Sequence, residues 1–118
     1  MAGASHGWPA VEPVLADPVA ERARLLDDLA TAYRLFGTLR WAELGDGHIT
    51  CRDTEKHDHM WMLRHRVVFE RAQPDDMVLV APDGTAVDQE GRRARINNSG
   101  YHIHHPIHEA RPDVTAVA

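Results

Sequence analysis

The chain has 118 residues, 43% of them hydrophobic, which suits one compact domain with a modest core, because small domains bury a smaller share of their surface than large ones. Its 13 basic and 18 acidic residues give a formal charge of -5, which argues against nucleic acid or an anionic membrane as partner, since both need a basic footprint. The single Cys51 closes no internal disulfide, the N-terminus has neither a basic n-region nor a long apolar run, and no apolar stretch nears the roughly 18 residues of a membrane span, so a cytoplasmic protein is expected.

Residues 1–16 show no apolar periodicity and are expected to form a flexible arm ahead of a domain at 17–118. Asp17-Pro18 joins an N-cap residue to proline at the first helical position, and Leu25, Leu29, Ala32, Phe36 and Leu39 recur at helical steps. This predicts an amphipathic helix over 18–39, which Gly37 is expected to shorten. Gly45-Asp46-Gly47 marks a turn, and His48–Arg52 has the alternation and β-branched content of a strand. A second strand is predicted at His59–Leu63 around Trp61, and a third at Met77–Val80. The third closes on the turn Ala81-Pro82-Asp83-Gly84 with Thr85–Val87 as its partner, giving a β-meander. Asn97-Asn98-Ser99 supplies cap residues for a second helix over Gly100–Ala110, where Pro106 is expected to introduce a kink. Pro112 ends it before an apolar strand at Val114–Ala118. A helix on each side of a mostly antiparallel sheet buries these faces in a layered α/β architecture.

Tyr33-Arg34-Leu35-Phe36, Trp41, Gly47-His48-Ile49-Thr50, the stretch 61–69, Asp76–Val80 with Asp83-Gly84, and Ile103-His104 through Arg111-Pro112-Asp113-Val114 follow in an order that resembles the class II aldolase/adducin family. The resemblance covers about residues 25–118 and implies a three-layer α/β/α domain. In the family's sugar-phosphate aldolases, epimerases and dehydratases, a divalent metal, usually zinc, is held mainly by histidines. It takes up the charge that develops when a carbanion forms beside a carbonyl. By the resemblance, two of those ligands form a His-x-His pair directly after the Pro-Asp-Val-x-Ala-Val strand, where this sequence ends. The chain is therefore expected to be the front part of the domain, incomplete at its C-terminal end, with no metal ligand or catalytic residue of its own. Family enzymes are commonly homo-oligomers, and an unpaired last strand also predicts self-association or poor solubility.

The aldolases' Ser-Ser-Glu, whose glutamate is the acid/base, corresponds to Asn98-Ser99-Gly100, and Gly100 moves no proton. Their Gly-Asn phosphate turn corresponds to Gly47-His48, which still offers a backbone N–H and a side-chain donor. Gly47, His48, Asn98 and Ser99 are thus the expected substrate-binding residues. A second phosphate-contacting turn, glycine-ended in the family, corresponds to Leu63-Arg64-His65-Arg66, where a guanidinium replaces close backbone approach. These departures point to the adducin-like branch and to a domain that is not catalytic as it stands. Two alternatives accompany that reading. One is a metal-dependent lyase of aldolase, decarboxylase or dehydratase type, acting on a small carbonyl or sugar-derived substrate when full length. The other is an adducin-like module that binds actin.

His104 and His108 stand at i,i+4, and His105 and His108 at i,i+3, a spacing that lets two imidazoles meet one ion. Two ligands do not make a site, and with His48 or His102 as a conceivable third, the favoured reading still makes these capping, surface or packed histidines. His57-Asp58-His59 and Arg92-Arg93-x-Arg95 read as solvated loops, and Asp75-Asp76 as a turn into the third strand. Trp41 and Trp61 are expected in the core, and Cys51 as a small packed residue.

Overall fold

The computed structural model describes residues 17–42 and 47–118, so the expected arm at 1–16 and the Gly45-Asp46 part of the first turn lie outside the described residues. Helix α1 (Pro18–Thr38) opens with Asp17 accepting a hydrogen bond from the Val19 N–H and with Pro18 in its first turn. It runs on through Gly37, against the expectation of an early stop. A Cβ on Gly37 would come within 2.8 Å of the Glu70 backbone nitrogen, so glycine admits a close approach of the 3-10 turn Phe69–Arg71 at some cost in helix propensity. The helix ends in a Schellman motif: Trp41 N–H donates to the Phe36 carbonyl and Arg40 N–H to that of Gly37. Arg40, at φ 57, holds the left-handed position that glycine usually takes. Trp41 meets the Phe36 ring edge-on, with centroids 5.1 Å apart. The expectation that Trp41 is core is therefore incorrect, since its ring clasps the helix end and stays 66% exposed.

Five strands form one antiparallel sheet: β1 (Thr50–Arg52), β2 (Met60–Leu63), β3 (Met77–Val80), β4 (Ala86–Val87) and β5 (Ala116–Val117). Their order is β4-β3-β2-β1-β5, a meander whose outer strand β5 returns beside β1. The register sets Trp61 beside Cys51 and Leu79, and Met60 and Met62 beside Val80 and Val78. On one face Trp61, Leu63 and Met77 pack against Leu26, Leu29, Ala30 and Tyr33 of α1. On the other, Met60, Met62, Val78 and Val80 pack with Ala86, Ile96 and Tyr101. Tyr101 belongs to α2 (Asn98–Ala110), so the sheet lies between two helices, as expected. With both faces covered, β2 is buried at every position, which explains its unalternating Met-Trp-Met-Leu.

Helix α2 begins at Asn98 rather than Gly100, because Asn97 alone is the N-cap, accepting from the Ser99 N–H. It runs unbroken through Pro106. Beyond it the Arg52 guanidinium donates to the carbonyls of His108, Arg111 and Val114. That clasp holds residues 111–114 as a turn, so the last strand is confined to Ala116–Val117 and is shorter than expected. Among the described residues, no helix is long and apolar enough to cross a membrane.

Candidate functional site

Tyr33 organises the region where the sequence places its candidates. Its buried hydroxyl accepts from the Ile49 N–H at 3.1 Å and the Leu63 N–H at 3.3 Å, and donates to the Ile49 carbonyl. One phenol thereby ties the segment after Gly47-His48 to the segment before Arg64-His65-Arg66. Burial, opposed by the two backbone bonds, pushes its pKa up to about 12, so it is a neutral phenol at physiological pH. The sequence shows Tyr33 only as part of the Tyr33-Arg34-Leu35-Phe36 piece of the family resemblance, with no sign of what its hydroxyl holds.

Between these segments lies a cleft of about 700 Å³. Gly47 and His48 line one part of it, Arg64, His65 and Arg66 another, and Asn97 contributes from the cap of α2. Gly47 has φ 89, which its glycine accommodates. Arg66 has φ 73 in a turn closed by Val67 N–H donating to the Arg64 carbonyl at 3.3 Å, so the backbone of a glycine position is kept with an arginine on it. Asn98 and Ser99, the other two expected substrate-binding residues, form the first turn of α2 and are not among the residues lining the cleft; the Ser99 hydroxyl donates to Asn97 Oδ1.

Gly100 is buried directly beneath this arrangement. A Cβ there would lie 2.9 Å from His48 Cδ2 and 2.2 Å from Met62 Cε. The methionine tip is flexible, but the imidazole ring is fixed by a short side chain, so an acidic residue at 100 would have to displace His48. The His48 ring also meets His104 edge to face at 5.5 Å.

His104 and His108 are packed, as the sequence reading favours. Thr50 Oγ1 lies 2.8 Å from His104 Nδ1 and 2.8 Å from His108 Nε2. The hydroxyl has one proton, so it donates to one ring and accepts from the other. Burial, reinforced by His48 and His108, lowers the His104 pKa to about 4. Burial and the Arg52 guanidinium lower that of His108 as well. Among the described residues, no three His, Cys, Asp or Glu side chains group to hold a metal ion. The zinc implied by the resemblance therefore has no ligand set within residues 17–42 and 47–118.

The remaining candidates take ordinary roles. His59 pairs with Asp58 at 2.6 Å in an exposed loop. Arg92 pairs with Asp88 and Glu90, and Asp76 caps a 3-10 turn leading into β3. Cys51 sits partly buried in β1, where burial and Asp28 push its thiol up to about 11, so it is not a nucleophile at neutral pH. Asp53, just ahead of the His57-Asp58-His59 loop, is a buried hub. It accepts from Arg22 Nε at 2.8 Å and Nη2 at 2.9 Å, from the Trp61 indole at 2.7 Å, and from the Glu55 and Lys56 N–H groups. Burial alone would raise this carboxyl, but Arg22, the Lys56 N–H, Trp61 and the Glu55 N–H outweigh it and hold it well below the usual carboxylate range.

Residues 27–118 match the family described as Class II Aldolase and Adducin N-terminal domain. The chain is 39% identical over 108 residues to Decarboxylase NovR of Streptomyces niveus, covering 90% of this chain and 39% of that protein. It is 33% identical over 89 residues to human gamma-adducin, covering 75% of this chain and 13% of the relative. The solved structure of an L-fuculose 1-phosphate aldolase from Glaciozyma antarctica superposes with a TM-score of 0.82 at 36% identity, covering 90% of this chain and 43% of that one. The chain thus spans about two fifths of the length of the enzyme relatives it matches and a smaller share of the adducin.

Proposed function

The chain belongs to the class II aldolase and adducin family, and we propose that it forms the anion-binding side of a substrate cleft and does not by itself perform sugar-phosphate aldol cleavage. The observation that carries this reading is Gly100 beneath His48 and Met62, because an aldolase-type acid/base has neither a side chain nor room there. Gly47 and His48 offer a backbone N–H and an imidazole to an anion, with Asn98 and Ser99 in the first turn of α2. The substrate class is a small carbonyl compound that carries an anionic group. With the metal ligands outside the described residues, these side chains bind and orient, and proton transfer at the substrate carbon falls to groups elsewhere in a whole protein.

The likeness to Decarboxylase NovR favours a lyase as the activity of the whole, and family enzymes suggest a homo-oligomer. The likeness to gamma-adducin supports a second reading, a binding module whose partner is actin, which filament co-sedimentation tests. For the first reading, amide NMR spectra are recorded while inorganic phosphate and pyruvate are titrated in. Saturable shifts are expected at Gly47, His48 and Ser99. The zinc-supplemented chain should release no aldehyde from a sugar phosphate. Amides that ignore both anions, or measurable cleavage, would refute this reading.

A further inference from the structure

Among the described residues, only Arg40 and Arg66 are non-glycine residues with positive φ, at 57 and 73, and both line the cleft. The left-handed backbone disfavours any residue with a Cβ, and such outliers gather where the side chain is needed. At Arg40 the helix terminator accounts for the conformation. At Arg66 the turn alone would be better served by glycine, so the backbone does not explain the arginine and its guanidinium does. Neither guanidinium has a hydrogen bond or ion pair among the described residues, whereas those of Arg22, Arg92 and Arg111 are paired with carboxylates. Among the described residues Arg71 and Arg95 are unpaired too, so what marks Arg40 and Arg66 is their place together on one cleft, whose lining also includes Glu70. The same cleft is walled by Val67, Val68 and Phe69, and Val68 is 54% exposed.

Resting on the reading of this cleft as an anion site, we propose that it selects a carboxylic acid with an apolar body, an aryl or branched alkyl acid, over a phosphate ester. Arg66, assisted by Arg40, grips the carboxylate. The planar guanidinium fork matches two coplanar carboxylate oxygens, and the apolar body removes Val68 and Phe69 from water. A phosphate ester of a hydroxylated sugar would leave that wall without a partner. The volume of about 700 Å³ accommodates such an acid.

Calorimetric titrations with hydrocinnamate, acetate and inorganic phosphate test this on the chain and on Arg66→Gly, a substitution that suits φ 73 and so keeps the turn. Hydrocinnamate is expected to bind at least about tenfold more tightly than acetate or phosphate, and Arg66→Gly to weaken it about tenfold with no fall in melting midpoint. Equal binding of all three ligands, tighter phosphate binding, or an indifferent Arg66→Gly overturns the selectivity and leaves the anion site standing. Binding of none removes both.

Discussion

Replacing Asp53 by alanine removes the acceptor shared by α1, β2 and the loop between β1 and β2. The Trp61 indole, on a residue 5% exposed, loses its 2.7 Å partner, and a buried donor left unsatisfied costs about 1–3 kcal/mol. Arg22 keeps 28% of its side chain in water and can rehydrate, so its loss adds about 0.5–1 kcal/mol. The Glu55 and Lys56 N–H groups belong to exposed residues and turn to solvent at little cost. The sum is about 1.5–4 kcal/mol, a large part of the roughly 5–15 kcal/mol that holds a domain of this kind. Urea unfolding of Asp53→Ala should show it. In a Trp61→Phe background, which has no indole N–H to strand, the same substitution should cost about 1–2 kcal/mol less. A cost below about 1 kcal/mol, or an identical cost in both backgrounds, would show that the indole contact is not what makes Asp53 matter.

Stability should rise with pH between about 4 and 6.5 because His104, with a folded pKa of about 4, must charge on unfolding while it stays neutral in the fold. The slope should be at most about 1.4 kcal/mol per pH unit for each such histidine. His104→Gln should flatten denaturation midpoints across that window, and an unchanged slope would place the proton uptake elsewhere. The depressed Asp53 carboxyl acts in a separate acid window, stabilising above its unfolded pKa and losing that contribution as pH falls further. Gly100→Ala should destabilise the fold by about 1–2 kcal/mol despite better helix propensity, and the cost should shrink when His48→Ala is added. A stabilised Gly100→Ala single variant would show that the His48 ring yields freely.

The layer order, the meander and both helices are legible in the sequence because caps and apolar rhythm are local signals. Asp17-Pro18 and Asn97 act where they stand, and the apolar runs at 60–63 and 77–80 announce strands, whose burial on both faces only the fold reveals. What escapes the sequence is set by partners far along the chain. Gly37 reads as a helix breaker until Glu70 is seen against it, and Asp53 reads as a loop carboxylate until Arg22 and Trp61 converge on it. Trp41 is misjudged for another reason, since its role is fixed by the helix terminator at Arg40, where the usual glycine signal is absent. Of the cleft, the sequence shows Gly47, His48 and Arg66 by their place in a pattern, but not the Tyr33 hydroxyl that brings their segments together.

Positions 48 and 100, where the resemblance implies departures from the aldolase pattern, are physically coupled. The His48 ring occupies the space over Gly100, so an imidazole at the first position and a side chain at the second compete for the same volume. Restoring a glutamate at 100 alone would therefore press a carboxylate into the imidazole and Met62. It would be held there only by moving His48 off His104 and disturbing the Thr50-linked pair beneath. The reverse change is equally coupled, since removing the ring leaves a hollow over Gly100 that Met62 alone does not fill. A cleft coupled in this way keeps its packing, with Tyr33 fixing both of its walls. Among the described residues its lining carries Arg40, Arg64 and Arg66 against Glu70, an excess of positive charge that suits an anion.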